Sequence, residues 1–382
     1  MRQRGASLCT AQKLVLKVLA TCRTAALGGH VDECDHCGYR RPAYNSCRNR
    51  HCPKCQAAAR GQWLEARRAE LLPVDYFHVV FTLPVAIAEI ALQNKALLYD
   101  LLLRLSAETM REIAADPKHL GAEIGILSVL HTWGQNLLHH PHVHCVVPGG
   151  GLAPDGERWI ACRKNFFLPV RVLSRVFRGK FLEHLRRAYD RGQLSFHGSL
   201  AKYRSAAVFR RLITQAFGQE WVVYAKPPFG GPERVLKYLA RYTYRVAISN
   251  QWLLSMAGDR VTFEWKDYAH GQVRKTMTLA AREFIRRFLL HVLPAHLVRI
   301  RQYGFLANCQ RQAKLEVCRR LLDVAHVPEP TPVCQADVKP DPSGDEPVDR
   351  CPNCGAGCLR IVSTTARPTT QRIFESWPFD SS

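Results

Sequence analysis

Long apolar runs are missing from this sequence: none approaches the ~18 residues that a membrane span needs. The stretch "LVLKVLATC" near the start is broken by Lys17 and followed by Arg23, so it reads as an amphipathic helix rather than a signal-peptide core. No segment recurs at a fixed period, which excludes solenoids and propellers. Acidic residues are scarce, with 32 Asp and Glu against 54 Lys and Arg, a net charge of +22. The basic excess is spread over every segment rather than gathered on one helix. That distribution favours a polyanionic partner, because neutralising phosphates releases condensed counterions. The expected class is a nucleic-acid-binding, cytoplasmic and nucleoid-associated protein that does not engage a membrane.

What is present is an ordinary globular composition, 47% apolar and 9% aromatic, on a chain long enough for two or three domains. Seven of the 15 cysteines fall in the first sixty residues. In a chain of this length, Cys-x-x-Cys pairs indicate metal binding in a reducing compartment rather than a disulfide framework. Cys34-x-x-Cys37 and Cys52-x-x-Cys55, separated by fourteen residues, predict a tetrahedral Zn2+ site with no open coordination position, hence a structural one. His30, Cys47 and His51 lie within reach as replacement ligands. The loop such a site fixes, "YRRPAYNSCRNRH", together with the second knuckle, offers Arg48, Arg50 and Lys54 for DNA contacts. A later run, "CPNCGAGC", holds Cys351, Cys354 and Cys358, either a half-knuckle that binds nothing or, with Cys334, a second zinc site.

After Pro73 the pattern changes. Strand and helix signals alternate without regular βα order, which predicts an α+β fold around an antiparallel sheet flanked by helices and preceded by a small zinc-binding domain. The expected division is residues 1–72 for the zinc domain, 73–322 for the main domain, and 323–382 for a Pro- and Asp-rich linker and tail. Two β-rich runs, "GILSVLHTWGQ" and "HVHCVVPGGG", read as an antiparallel hairpin. Alternation places His142 and His144 on one face. Pro141 argues that the strand starts after His140. With residues 135–140 as the turn, His131 falls opposite about position 143, beside the pair, as a third metal ligand, with Gln135 as the fallback. Histidine nitrogens suit Mn, Zn, Fe, Co or Ni, and phosphate oxygens and water would complete a Mg2+ or Mn2+ shell.

"GGPERVLKYLARYTYRVA" predicts a helix with proline in its first turn. Tyr238 and Tyr242, at i and i+4, share a face, with Lys237, Arg241 and Arg245 around them. Basic neighbours favour the phenolate over a phenol of pKa ~10. The bland alternative is an amphipathic helix with tyrosines at its boundary.

A double cysteine knuckle, then His-Val-His on a strand, then Tyr-x-x-x-Tyr on a helix, in this order and in a basic chain, resembles the insertion-sequence-91 transposases. These are the two-tyrosine branch of the HUH single-strand endonucleases. The segments carrying the resemblance are "CRTAALGGHVDECDHCG", "YNSCRNRHCPKC", "HTWGQNLLHHPHVHCVVPGGG" and "KYLARYTYRVAISN", over about residues 20–310. The resemblance implies an HUH-type sheet and rolling-circle transposition. It implies a Mg2+ or Mn2+ ion on His142 and His144, and nucleophilic attack by Tyr238 and Tyr242 through 5′-phosphotyrosine intermediates. The partners it implies are single-stranded DNA at the ends of a mobile element and target DNA. The chain departs from the family pattern at Tyr244, where a histidine is expected. A replication initiator or relaxase with the same chemistry, and a non-catalytic zinc-dependent DNA binder, are the competing readings.

Overall fold

The computed structural model describes residues 8–134, 136–229, 234–235, 248, 252–267, 273–323 and 350–367. The chain divides into two compact units, Met1–Gln56 with Pro330–Ser382, and Ala57–Glu329. Among the described residues no helix is long and apolar enough to cross a membrane.

The first unit opens with α1 (Thr10–Ala20), whose Gln12 side chain caps the Cys9 N–H at 3.1 Å. Strands β1 (Gly29–Cys34) and β2 (Arg40–Tyr44) form an antiparallel hairpin. On the other side of β1 runs the strand Leu359–Thr365, antiparallel, from Gly29 opposite Thr365 to Cys34 opposite Leu359. This corrects the expected division: residues 350–367 are not a separate tail but part of the first unit. The reason is a pairing more than 300 residues distant, which no local pattern announces. The intervening "VPEPTPVCQADVKPDPSGDEPVD" lies outside the described residues.

Between the two units in sequence is α2 (Pro53–Arg68), a helix that starts at proline. Then come β3 (Tyr76–Thr82), α3 (Val85–Gln93), α4 (Lys95–Ala115), β4 (Gly125–Trp133), β5 (His139–Pro148), β6 (Gly150–Leu152) and β7 (Trp159–Ala161). The chain continues through α5 (Val170–Asp190), α6 (Ala206–Gly218), β8 (Val223–Phe229), β9 (Leu253–Ala257), β10 (Arg260–Asp267) and β11 (Val273–Ala280). It ends with α7 (Ala281–Leu290), β12 (Ile300–Gly304) and α8 (Arg311–Leu321). The architecture is α+β, with antiparallel sheets flanked by helices, as the sequence predicts.

Five strands make the main sheet, in the order β12-β4-β5-β3-β8, every neighbouring pair antiparallel. One face carries Phe77, Val79, Phe81, Ile126, Leu130, Val143, Cys145 and Val147 into the largest core, against α3 to α6. Phe81 meets Phe177 of α5 edge-on at 4.9 Å. All nine residues of β4 are buried, so both faces of this strand are covered. The second face packs Tyr76, Leu127 and Val146 with Val235 and with Trp63 and Leu64 of α2. A smaller sheet, β9-β10-β11, packs Phe263 against α7.

Two local features depart from expectation. The helix that "QNKALLYDLLLRLSAETMREIAAD" predicts from Gln93 begins only at Lys95, because Asn94 (φ −120°) separates it from α3. The Asn94 amide donates to the Ile90 and Ser195 carbonyls and accepts from Ser195 N–H. Pro141 does not delay β5, which begins at His139. The β4–β5 register shifts between His131 and Trp133, where His140 and Pro141 of β5 together face Thr132 of β4, a bulge that contains the proline. The bulge supplies a position where a missing N–H breaks no ladder bond. On the other side β3 has ended at Thr82, and Pro141 contributes only its carbonyl, to Leu83 N–H at 3.2 Å.

Gly304 ends β12 with φ +63°, and a Cβ there would run into the Ile124 carbonyl oxygen. Gly304→Ala should therefore destabilise the second unit by more than about 3 kcal/mol. Gly258→Ala, also at positive φ but facing open space, should cost only about 1–2 kcal/mol. Denaturant midpoints of the two variants measure the difference.

Candidate functional site

In the β4–β5 ladder His131 lies directly across from His142, and Val129 across from His144. Directly opposed residues share a sheet face, so the three imidazoles converge. The ladder is one residue away from the expected pairing of 131 with 143. That residue matters, because pairing with 143 would have turned His131 to the helix-covered face. The three ring nitrogens lie within 4.8 Å of one another. The two Nε2 atoms of His142 and His144 are 3.1 Å apart. His131 sits 4.4 Å from the His144 ring, centroid to centroid, and stacks on Trp133 at 4.5 Å.

Hydrogen bonds orient the rings. His142 donates from Nδ1 to the His140 carbonyl at 2.7 Å, leaving its Nε2 with the lone pair. His78, on β3 and the same sheet face, sets its Nε2 2.8 Å from Nδ1 of His144. With that Nδ1 as donor, the Nε2 lone pair of His144 faces that of His142. Two lone pairs so close repel unless a cation lies between them. Two nitrogens in adjacent positions of an octahedral ion at ~2.1 Å stand about 3.0 Å apart, so the donor set fits a divalent ion. Burial, reinforced by the neighbouring imidazoles, lowers His142 to about 4 and holds His144 well below the ordinary histidine range. Burial and Lys226 lower His78 to about 3. His142 and His144 are thus neutral at pH 7.

The remaining histidines of the quartet separate from this group. His139 shares a 2.7 Å hydrogen bond with the Tyr99 hydroxyl of α4, and His140 is exposed. His291 is a core histidine with both nitrogens engaged, by Thr132 and the Leu137 carbonyl.

Beside β12 a cleft of about 520 Å³ is lined by Trp63, Arg67, Leu127, Gln302 and Arg311, among others. Glu70 lies within 2.9 Å of the Arg67 guanidinium and 3.1 Å of the Arg311 guanidinium. One carboxylate for two cations leaves the cleft wall positive.

The cysteines of the first unit do not pair as expected. Cys34 and Cys37 do not join Cys52 and Cys55 in one set. Instead Cys52 and Cys55 gather with Cys22 and Cys47, while Cys34 and Cys37 gather with Cys351 and Cys354. In the first set the sulfur separations are 3.5 Å for Cys22–Cys55 and Cys22–Cys52, and 3.6 Å for Cys47–Cys55. A tetrahedral ZnS4 centre with ~2.3 Å bonds has edges of about 3.8 Å, so this set fits zinc. Spacing alone does not reveal this exchange, because each knuckle is only half a site. His30 bonds Asp32 at 3.2 Å, and His51 turns its ring to Asn49, so neither replaces a thiolate. Exposed Arg48 and Lys54 and half-buried Arg50 lie on the Cys47–Cys55 segment that this set anchors at both ends.

Tyr238, Tyr242, Lys237, Arg241, Arg245 and Tyr244 lie outside the described residues, as do Gln135 and Cys334. Val235, three positions before Tyr238, is fully buried against Tyr76, Leu127 and Val146 on the histidine face.

The family described as "Transposase zinc-binding domain" matches residues 1–83, and the family described as "Putative transposase" matches residues 125–313. The chain is 62% identical over 330 residues, 86% of its length, to "Putative transposase y4qJ" of Sinorhizobium fredii, covering 83% of that protein. The chain belongs to the insertion-sequence-91 transposase family. It is also 32% identical over 361 residues, 92% of its length and 83% of the relative's, to the transposase for insertion sequence element IS801 of Pseudomonas savastanoi pv. phaseolicola. No solved structure matches. For a transposase the substrate is DNA, which accords with the +22 charge. His131, His142 and His144 all fall within the 125–313 match, whereas His78 does not.

Sequence reasoning missed His78, Trp63, Arg67 and Arg311. A lone histidine in "YFHVVFT" carries no signal until β3 is known to pair with β5. The depressed histidines make the transposase sensitive to acid. Unfolded imidazoles take up protons at pH ~6.5, while His142 and His78 in the fold resist until about 4 and 3. The unfolded chain then binds more protons between these limits, so stability falls as pH drops from ~6.5 towards 4. Urea midpoints measured without added divalent ion should be flat above pH 7 and decline below it, with a shallower decline in His78→Gln.

Proposed function

We propose that this transposase cleaves and rejoins single-stranded DNA by tyrosine attack, in rolling-circle transposition. The observation that carries the reading is the convergence of three imidazoles on one sheet face. His131, His142 and His144 hold a Mg2+ or Mn2+ ion, His78 orients His144, and Tyr238 and Tyr242 are the nucleophiles. When bound, the divalent ion polarises a phosphate oxygen and stabilises charge developing on it. The tyrosine phenol gives up its proton to solvent as its oxygen attacks the scissile phosphorus, and the P–O3′ bond breaks. The 3′ oxygen leaves as a free hydroxyl with a proton taken from solvent, and a 5′-phosphotyrosine remains. Attack by a 3′-hydroxyl reverses the exchange and frees the phenol. The positive cleft with Trp63 offers an electrostatic and stacking surface for a single strand. Arg48, Arg50 and Lys54, held by the first cysteine set, are proposed phosphate contacts, with Lys237, Arg241 and Arg245 beside the tyrosines.

Incubation with Mn2+ and single-stranded oligonucleotides drawn from the terminal sequences of the element should yield a covalent adduct on the tyrosine peptide, read by mass spectrometry. His142→Ala or His144→Ala should lower its yield roughly 100-fold or more, and Tyr238→Phe with Tyr242→Phe should abolish it. An adduct surviving the double tyrosine change refutes the nucleophile assignment, and no adduct with the intact protein favours a non-catalytic DNA binder.

Removing Arg48 and Lys54 as Ala should weaken binding of all single strands alike. Each lost contact should reduce the slope of log K against log salt by about 0.7, measured by fluorescence anisotropy.

A further inference from the structure

We propose that Cys34, Cys37, Cys351 and Cys354 bind a second zinc ion, at a site assembled from two segments more than 300 residues apart. The matched zinc-binding domain ends at residue 83, so half of this site lies outside it. Cys22, Cys47, Cys52 and Cys55 form a separate set, so the eight thiols are not alternatives for one ion.

The geometry has the internal symmetry of two facing knuckles. Cys34-Asp35-His36-Cys37-Gly38 and Cys351-Pro352-Asn353-Cys354-Gly355 are both Cys-x-x-Cys-Gly turns. In each, the glycine N–H bonds back to the first cysteine's carbonyl, at 3.1 Å for Gly38 and 2.9 Å for Gly355. Each glycine takes a left-handed backbone, φ +69° and +65°. Backbone N–H groups aim at the sulfurs: His36 at Cys34 and Gly357 at Cys354, both 3.4 Å. Such bonds favour thiolate over thiol.

Across the site, Cys34 and Cys354 sulfurs are 3.7 Å apart and Cys37 and Cys351 sulfurs 3.6 Å. These separations match the edges of a ZnS4 tetrahedron, about 3.8 Å, and are far beyond the ~2.04 Å of a disulfide. The two knuckles are also locked to each other. Asp35 N–H donates to the Cys358 carbonyl at 3.1 Å, and Cys358 N–H to the Asp35 carboxylate at 2.8 Å. Gly357 lies so close to Cys34 that a Cβ would press on its sulfur and come within 2.6 Å of His36 Cβ. Cys358 is exposed and outside the set.

The proposal is independent of the cleavage reading, and metal content tests it. Full-length protein purified without chelator should carry two zinc ions per chain by inductively coupled plasma mass spectrometry, and Cys351→Ser with Cys354→Ser should carry one. A single zinc in the unaltered protein, or an unchanged count in the variant, overturns it. Should the variant fail to fold, the unaltered protein still decides by alkylation with N-ethylmaleimide. Cys358 should react at once, while Cys351 and Cys354, seven and four residues before it, should react only after a chelator is added. Equal reactivity of all three in zinc-loaded protein overturns the site.

Discussion

The register of β4 against β5 is the constraint on which the second unit's site depends, and hydrophobic packing sets it. Leu130, Val143, Cys145 and Val147 face α3 to α6 because His131, His142 and His144 face the other way. Slipping the ladder by one residue would exchange the two sets. Each aliphatic side chain removed from the core would forfeit roughly 1.5–3 kcal/mol, whereas a typical net hydrogen bond such as His142 to His140 contributes about 1 kcal/mol. The core therefore decides where the imidazoles point, and the bulge at His140–Pro141 lets the strand carry a proline without disturbing that decision.

In the first unit the relation between packing and chemistry is reversed. Its buried apolar side chains, among the described residues, are Val15 and five cysteines, Cys22, Cys34, Cys52, Cys55 and Cys351. One aliphatic side chain cannot offset the entropy of ordering this many residues at about 1–2 kcal/mol each. Structural zinc binding, worth on the order of 10 kcal/mol per site, is of the size required. The first cysteine set anchors the Arg48, Arg50 and Lys54 segment, and the second joins β1 to the Leu359–Thr365 strand's segment. In this unit, metal ligation stands where a hydrophobic core would.

Much of this arrangement was legible in the sequence. Alternation selected His142 and His144, hairpin length brought His131 to within one residue of its true partner, and Cys-x-x-Cys spacing announced zinc. The α+β class followed from irregular strand and helix order. What escaped was non-local. Cys34–Cys37 found its partner at 351–354 rather than at 52–55, since a knuckle's sequence specifies its own turn and not its counterpart. His78 and Arg311 join their neighbours only through strand pairing and helix packing. β11 and β12 were missed because "VRKTMTLA" and "IRQYG" are half-exposed and polar, with too few apolar positions to show a period of two.

Ligand type bears on the proposed chemistry. Three imidazoles bring no negative charge, so a divalent ion they hold would present its charge undiminished to a phosphodiester. Carboxylates in their place would bind the ion more strongly but set anions beside the polyanionic strand, and at an effective dielectric near 20 each such pair 4 Å apart repels by roughly 4 kcal/mol. The surroundings follow the same rule. Lys226 lies close enough to depress His78 and His144, and the single carboxylate of Glu70 is shared by two guanidinium groups. Desolvation of the imidazoles and the surplus of cations around them thus act in the same direction, towards an anionic backbone.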